Sequence, residues 1–369
     1  MKLLKKLLAP ILIVSTLLCS CGSGNPYFCE PYEAQAKGFN LIITPKTELM
    51  TVLSYLNEEN TPEINQQNTI YGRDIETKFK KHREHPTVAY YKEKGFDYNT
   101  MCEFGMMINK NFTLDTRFMD FENSDCSENE KRILRQVSEK ADLTELLDYL
   151  CHFYSEANVD KLFKQNKNMM KDTLAELSQE LDKYNVYDFT NKYFENENKI
   201  YRLVIQPIRT TTMNSEISLS LMDEDYNVST VNYTNIFSGT FQRKYFSPDI
   251  VKEISHNILA PVFDKYKDDI NNYSFLFKEI PQQPKDAGYD TWNAVFQRHL
   301  IDGIAARFIL SAWGEEEYNN YIKQNEEWGL IYQRDICDKL AEFEKNLDKY
   351  GSLENFIPEL LTCFDKYSK

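Results

Sequence analysis

Residues 201–207, Tyr-Arg-Leu-Val-Ile-Gln-Pro, decide the fold class of this 369-residue chain. Before them, from Lys131 to about Phe194, apolar residues recur at spacings of three and four, which predicts consecutive helices. The segment itself is rich in β-branched and aromatic residues and stops at a proline, which predicts a strand. Residues 217–221 alternate leucine or isoleucine with serine, and the stretch 228–237 is rich in Val, Thr and Tyr, so we expect these two to pair as further strands.

Other signals place helices on both sides of this small sheet. Residues 39–43 predict a short strand, and Thr44-Pro45 then opens a helix. Ser247 is expected to cap the helix that follows the strands, and a further helix is predicted from Thr291 to Leu310. The fold class is therefore α+β, mostly helical, with a small central mixed or antiparallel sheet that precedes the helix after Ser247.

The N-terminal residues predict export. Residues 1–20 carry three lysines and then an apolar run at 7–18 without an acidic residue, which is typical of a secretory signal and too short to span a membrane. The run ends in Leu-Cys-Ser-Cys-Gly at 18–22, which resembles the bacterial lipobox, so Cys21 is predicted to become the lipidated first residue. The alternative is an ordinary cleaved signal that leaves a free cysteine.

The predicted organisation is a signal peptide (1–20), a tether (21–38) and a single domain (39–369). Several acyl chains on Cys21 would bury enough methylene groups for lasting membrane anchorage. No acidic run follows Cys21 closely, whereas such a run resembles a surface-export signal of some bacteria. We therefore expect a protein of the bacterial cell envelope, lipid-anchored at the outer membrane and facing the periplasm.

Charge and cysteine content exclude several classes of partner. The formal charge is −14, and removing the predicted signal, which holds three lysines and no acid, lowers it to −17. Such a chain does not bind nucleic acid or anionic lipid through bulk charge. The expected partners are the membrane, through Cys21, and a peptide or protein ligand that the sequence does not identify.

Outside residues 1–21 six cysteines remain, which allow 15 pairings, and none has C-x-x-C spacing.

A near-match to a zinc-protease motif lies at residues 252–256, Lys-Glu-Ile-Ser-His. In H-E-x-x-H, two histidines one helical turn apart bind zinc, and the glutamate activates the metal-bound water. Here Glu253 and His256 have the required spacing, but Lys252 occupies the first histidine position. An ammonium group has no lone pair and cannot ligate a metal. The match is therefore either chance or the scaffold of a metallopeptidase without its catalytic metal.

Several stretches, taken in order, resemble a family of bacterial metallopeptidase-like proteins known as DUF4932. Ser-His-Asn-Ile-Leu-Ala-Pro at 255–261 resembles the continuation of that family's motif, and residues 201–209 resemble the strand ahead of it. Residues 39–71, 85–88 and 348–358 resemble its opening, an early His-Pro-Thr-Val element and its closing stretch. The resemblance covers nearly the whole chain after the tether.

The resemblance implies a zincin-like fold and a zinc site that this chain has altered. It implies histidine at 252, Glu253, His256 and a third ligand, a carboxylate, near residue 298. Lys252 and Arg298 occupy two of these positions, so we expect Lys252 to pair with Glu253 or a nearby carboxylate. A rebuilt site from His256, His299 and Asp302 is the alternative.

Three functions follow. The first is a lipid-anchored envelope protein whose metallopeptidase-like domain is catalytically inactive and serves a binding or structural role. The second is an active hydrolase with an altered metal site, in which Glu253 acts as base. The third is a non-enzymatic envelope protein that binds an unidentified ligand. The chain is not expected to be an enzyme or to bind a cofactor, and zinc is expected only if the site is rebuilt.

Two histidine-containing stretches outside the motif have simpler interpretations. His82 and His85 have H-x-x-H spacing among lysines and arginines, which predicts a solvated helix end. His152, beside Cys151, lies among leucine and tyrosine and is expected in the core. Trp292, Trp313 and Trp328 are expected in the core, although exposed aromatic residues there would indicate a groove for a glycan or peptide.

Overall fold

The structure is a computed structural model that describes residues 27–57, 70–195, 200–206, 218–219, 226–232 and 246–368. Within these ranges most residues are helical, and a small mixed sheet joins five strands. The predicted α+β class, mostly helical with a small sheet before the motif helix, is confirmed at this level. Cys21 lies outside the described residues, as do positions 217, 220–221 and 233–237 of the predicted strand pair.

The strands are Tyr32–Ala36 (β1), Phe39–Ile43 (β2), Ile200–Gln206 (β3), Ser218–Leu219 (β4) and Tyr226–Asn232 (β5). Their order in the sheet is β1-β2-β3-β5-β4. The three inner strands run parallel, while β1 and β4 pair antiparallel at the two edges. The strands predicted at 39–43 and 201–205 are confirmed, and β4 pairs with β5 as expected.

The centre of the sheet is covered on both faces. Three consecutive residues of β3 are fully buried: Leu203, Val204 and Ile205. Successive side chains of a strand point to opposite faces, so both faces of the sheet are covered here. Leu203 is in register with Leu41 of β2. This explains the continuous apolar run in the sequence, because parallel strands are normally buried on both sides.

The folded part begins earlier than predicted, which corrects the tether assigned to residues 21–38. Phe28 is buried and stacks on Phe112 with ring centroids 4.0 Å apart. β1 then pairs with β2 through a turn at Gly38, where φ is 71°. A Cβ on Gly38 would lie 1.9 Å from the Tyr187 ring, so the turn requires glycine. Phe28 and residues 32–36 of the predicted tether therefore belong to the folded domain.

In the described residues between β2 and β3 there are ten helices. They are Pro45–Leu56 (α1), Ile70–Phe79 (α2), Pro86–Lys94 (α3), Tyr98–Met107 (α4), Thr116–Met119 (α5), Glu128–Ser138 (α6), Leu143–Glu156 (α7), Val159–Gln165 (α8), Lys167–Lys183 (α9) and Val186–Phe194 (α10). A 3₁₀ segment, Lys80–His82, lies between α2 and α3.

Eight helices follow β5 in the described part of the chain. They are Phe246–Lys265 (α11), Lys267–Asn271 (α12), Gln282–Asp286 (α13), Trp292–Trp313 (α14), Glu315–Trp328 (α15), Gln333–Lys345 (α16), Leu347–Tyr350 (α17) and Leu353–Leu361 (α18). Two 3₁₀ segments, Ser274–Glu279 and Thr362–Tyr367, complete this half. None of the described helices is long and apolar enough to cross a membrane.

The helix starts show which capping predictions hold. The Thr44 hydroxyl accepts from the backbone N–H of Lys46 at the start of α1, and Thr291 caps α14 in the same way. The prediction for Ser247 is wrong, because the described helix already includes this residue and its hydroxyl donates to Glu180 Oε1 over 3.4 Å. The interpretation of His85 as a solvated helix end is also wrong, since it is a buried N-cap residue.

Helix α14 organises the second half of the molecule. It packs against α11, α15 and α16, and buried residues occur on all of its faces. Gly303 lets α16 approach closely, because a Cβ there would lie 2.8 Å from Ile336. α14 therefore fixes how the motif helix α11 faces the C-terminal helices. All six cysteines outside residues 1–21 are free thiols.

A buried carboxyl group links α1 to α2. Glu48 is fully buried, and the Tyr71 hydroxyl donates to its Oε2. Its Oε1 accepts no hydrogen bond from any residue that the structure describes. Burial raises the pKa of Glu48 to about 7, although the hydrogen bond from Tyr71 acts in the opposite direction. The carboxyl group therefore titrates near neutral pH in the folded state.

The burial of Glu48 predicts that the folding stability of the wild type falls as the pH rises, and that Glu48→Gln removes this dependence. The pKa rises from 4.5 to about 7 on folding, so the wild type should lose stability relative to the variant as the pH rises through that range. Between pH 5 and pH 8 the relative loss should be on the order of 2 kcal/mol. Urea denaturation of both proteins at several pH values measures it. Glu93→Gln, at an exposed carboxylate of α3, should show no such trend.

Candidate functional site

The three residues of the zinc-protease near-match lie near the middle of α11, which packs along α14. Lys252 and His256 are one turn apart, as the spacing predicts. Glu253 is buried, His256 is half-buried, and the Lys252 side chain is 14% exposed. The helix required by the motif is therefore present, and the side chains around Lys252 determine what it can bind.

Lys252 forms an ion pair with a carboxylate of its own helix. Its Nζ lies 2.6 Å from Asp249 Oδ1, three residues earlier. Burial lowers the pKa of Lys252, but the nearby acidic groups, chiefly Asp249 and then Tyr321 and Asp302, outweigh burial and hold the pKa above its ordinary value. Lys252 is thus an ammonium group at neutral pH, with a nearby carboxylate as its partner, as expected from the sequence.

A second ion pair lies across from it on α14. Arg298 and Asp302, one turn apart, form an ion pair between Nε and Oδ2, and the Tyr321 hydroxyl of α15 donates to Asp302 Oδ1 over 2.7 Å. Burial raises the pKa of Asp302, but the charges of Arg298 and Lys252 outweigh burial and hold it below its usual range. Asp302 is 1% exposed, so this is an ionised carboxylate inside the protein with both oxygens engaged.

Aromatic side chains complete the surroundings of Arg298. Its Nη1 donates to the Tyr289 hydroxyl over 3.1 Å. The guanidinium carbon lies 5.6 Å from the Trp328 ring centroid and 5.9 Å from that of Tyr289, within the range of cation–π attraction. At the position where the resemblance implies a carboxylate ligand, the chain therefore has a cation that is fixed by an ion pair, a hydrogen bond and two aromatic rings.

These residues form one network, which we call the α11–α14 ion network: Asp249, Lys252, Arg298, Asp302 and Tyr321. Its two cations balance its two carboxylates. Balance matters because removing one member of a buried ion pair leaves an uncompensated charge in a poorly solvated place.

His299, a candidate ligand of the rebuilt site, has a different role. Its Nδ1 lies 2.8 Å from the Val295 carbonyl, which can only accept, so Nδ1 carries the proton. Its Nε2 accepts from the Tyr332 backbone N–H over 3.3 Å. Burial lowers the pKa of His299 to about 4, so the ring is neutral at physiological pH. Nδ1 therefore bonds within α14, whereas Nε2 connects α14 to Tyr332, the residue before α16.

The residues of the rebuilt site do not fit a zinc ion. Among the described residues, His256, His299 and Asp302 do not form a group of three neighbouring ligand atoms. The Nε2 lone pair of His299 is used, Asp302 is paired with Arg298, and the Lys252 cation lies in the same network. Glu253 and His256 remain in the helical positions that the motif predicts, without the ligands that would complete a site.

A groove lies between α9, the end of α14 and the start of α15. It has a volume of about 660 Å³ and is lined by Glu176, Gln179, Glu180, Lys183, Tyr184, Trp313 and Glu317. Trp313 and Tyr184 meet edge-to-face with centroids 5.6 Å apart. Glu317 lies one turn before Tyr321 on α15, and Glu180 accepts from Ser247 of α11. We call this surface the aromatic–acidic groove.

Sequence reasoning missed two members of the network. Asp249 had a local signal, because its spacing of three from Lys252 indicates an ion pair on a helix. Arg298 and Asp302, four apart, carry the same local signal. Tyr321 had no such signal, because it reaches Asp302 from a different helix.

The network predicts that Asp302→Asn is strongly destabilising. Losing this charge leaves Lys252 and Arg298 with one carboxylate between them, and breaking a buried pair in this way costs about 3 kcal/mol. Chemical denaturation measures the effect. The matched control is Asp264→Asn, at an exposed position on α11, which should change stability by less than about 0.5 kcal/mol. Equal effects at the two positions would show that the network does not stabilise the fold.

Comparison with known proteins identifies one match. The family model described as Domain of unknown function (DUF4932) matches residues 40–363, which is most of the chain. No curated protein and no solved structure matches it. The match covers β2 through the last helices and includes every member of the α11–α14 ion network.

Proposed function

Since the chain belongs to the DUF4932 family, we propose that it is a lipid-anchored protein of the bacterial envelope whose zincin-like domain binds a ligand rather than cleaving one. In this proposal α11 is the former metal-binding helix, and the domain is catalytically inactive. Its site serves recognition or a structural role.

One observation carries the inactive assignment. At the two positions where the family resemblance implies metal ligands, the chain has Lys252 and Arg298, and both are engaged in ion pairs. A catalytic zinc normally needs three protein ligands and one open position. With cations at two of the implied positions, a divalent ion would be repelled rather than bound.

The aromatic–acidic groove supports a binding role. Three carboxylates and one lysine line it, and the Lys183 ammonium lies 4.7 Å from the Tyr184 ring centroid. Aromatic faces and carboxylates together favour a cationic side chain of a ligand. A peptide segment with lysine or arginine side chains has the complementary chemistry, and the groove lies beside the helix that a peptidase would use for cleavage.

Restoring the implied ligands tests the scaffold. Lys252→His combined with Arg298→Glu should bind about one zinc ion more than the wild type, because it supplies the two ligands that His256 lacks. Lys252→Gln with Arg298→Gln removes the same charges without adding ligands and should bind no more zinc than the wild type. Zinc is measured by atomic spectroscopy after dialysis, and adding His256→Ala to the first variant should remove the extra ion.

Two outcomes would contradict the proposal. One is zinc in the wild-type protein that disappears with His256→Ala. The other is cleavage of a peptide library that a chelator inhibits and Glu253→Gln abolishes, which would favour the active-hydrolase alternative with Glu253 as base.

The anchor is tested separately. Expressed with its native N-terminus, the wild-type protein should fractionate with membranes and incorporate labelled fatty acid, because acyl chains on Cys21 bury many methylene groups in the bilayer. Cys21→Ala should lose the label and the membrane association. Cys19→Ala, two residues earlier and within the predicted signal, is the matched control and should retain both. Labelling of the Cys21→Ala protein would exclude this residue as the anchor.

A further inference from the structure

Three ligand-type side chains meet away from the α11–α14 ion network, where α3 begins and α7 ends. His85 precedes α3, while His152 and Glu156 occupy the last turn of α7. His85 Nε2 lies 3.0 Å from Glu156 Oε2, and His152 Nε2 lies 3.1 Å from Glu156 Oε1. Among the described residues this is the group of three whose candidate ligand atoms all lie within 4.8 Å of one another.

We propose that His85, His152 and Glu156 bind a divalent first-row transition-metal ion of the Zn²⁺ class. Two imidazoles and one carboxylate form a ligand set that zinc uses in proteins with three protein ligands and an open fourth position. This site is independent of the proposed function, because it shares no residue with α11 or α14.

The distances fit this chemistry. Bonds of about 2.0–2.2 Å in a tetrahedral arrangement place ligand atoms roughly 3.3 Å apart. The two contacts to Glu156, at 3.0 and 3.1 Å, need to widen by only a few tenths of an ångström. The His85 side chain is 6% exposed, that of His152 25% and that of Glu156 54%, so the group is closed on one side and open to solvent on the other.

Packing holds the ligands in place before any ion arrives. The Phe153 ring meets His85 edge-on at 5.0 Å, and the rings of His85 and His152 are 5.4 Å apart. The Thr87 hydroxyl donates to the Tyr149 carbonyl over 2.9 Å, which ties the start of α3 to α7. His152 and Glu156 are one helical turn apart, so their separation is fixed by α7 itself.

Metal binding through His85 would break a hydrogen bond that caps α3, and this loss lowers the affinity for the metal. His85 Nδ1 accepts from the Thr87 backbone N–H over 3.1 Å, so the neutral ring carries its proton on Nε2 and donates to Glu156. A metal on Nε2 requires that proton to move to Nδ1, and the cap is then lost. Losing a side-chain cap corresponds to roughly a fivefold change in an equilibrium constant, far less than the affinity a three-ligand site provides. The cap therefore weakens binding without preventing it.

The experiment titrates the folded chain with Zn²⁺ by calorimetry and with Co²⁺ by visible absorption. We expect one saturable site and a Co²⁺ d–d band of a low-coordinate ion. His152→Gln and Glu156→Gln should each weaken binding at least tenfold, by about the factor that a lost metal contact produces. His85→Asn is the sharpest variant, because asparagine keeps the N-cap and removes the ligand nitrogen. It should fold as stably as the metal-free wild type and bind at least tenfold more weakly.

The matched control is His256→Ala, which removes a histidine of the other region and should leave binding unchanged. Absence of a saturable site, or affinity that the three variants do not alter, would overturn the proposal. Metal lost with His256→Ala instead would overturn both this site and the inactive assignment of α11. Metal lost only with the His85, His152 and Glu156 variants supports the site and leaves that assignment standing.

Discussion

The contact between α11 and α14 is the constraint on which the rest of the second half depends. Asp302, buried in α14, is ionised because Arg298 and Lys252 are close to it. Each of these cations also has a partner or aromatic surroundings of its own. Helix α14 therefore tolerates a buried charge at its centre while packing against three other helices. Charge balance, rather than apolar burial alone, defines how the motif helix sits.

On the proposed function, this balance explains why two positions changed together. A zinc ion brings a charge of +2 to its ligands and to nearby carboxylates. If the ion is lost and nothing replaces it, carboxylates such as Asp302 remain buried without a counter-charge. Lys252 and Arg298 together supply the same +2, from side chains that are part of the chain. A single substitution would leave half of that charge missing.

Local patterns predicted those parts of the fold that local physics determines. The strand at 39–43, the Thr44 cap and the helix from Thr291 follow from residue propensities and capping, which act within a few residues. β1 was missed because its alternating residues include glutamate and alanine, which are depleted in strands, and because its pairing depends on Gly38 fitting against Tyr187, a contact between distant segments. Tyr321 was missed for the same reason.

The histidines show why the candidate sites could not be assigned from sequence. His299 and His85 are both buried, and burial lowers the pKa of each. The nitrogens of His299 face a backbone carbonyl and a backbone N–H, so both are used in hydrogen bonds that have a structural role. The Nε2 of His85 instead faces a carboxylate that a second histidine shares. Residue type and burial are the same in both cases. The group opposite each nitrogen decides whether a histidine supports a helix or can hold an ion, and that group comes from another part of the chain.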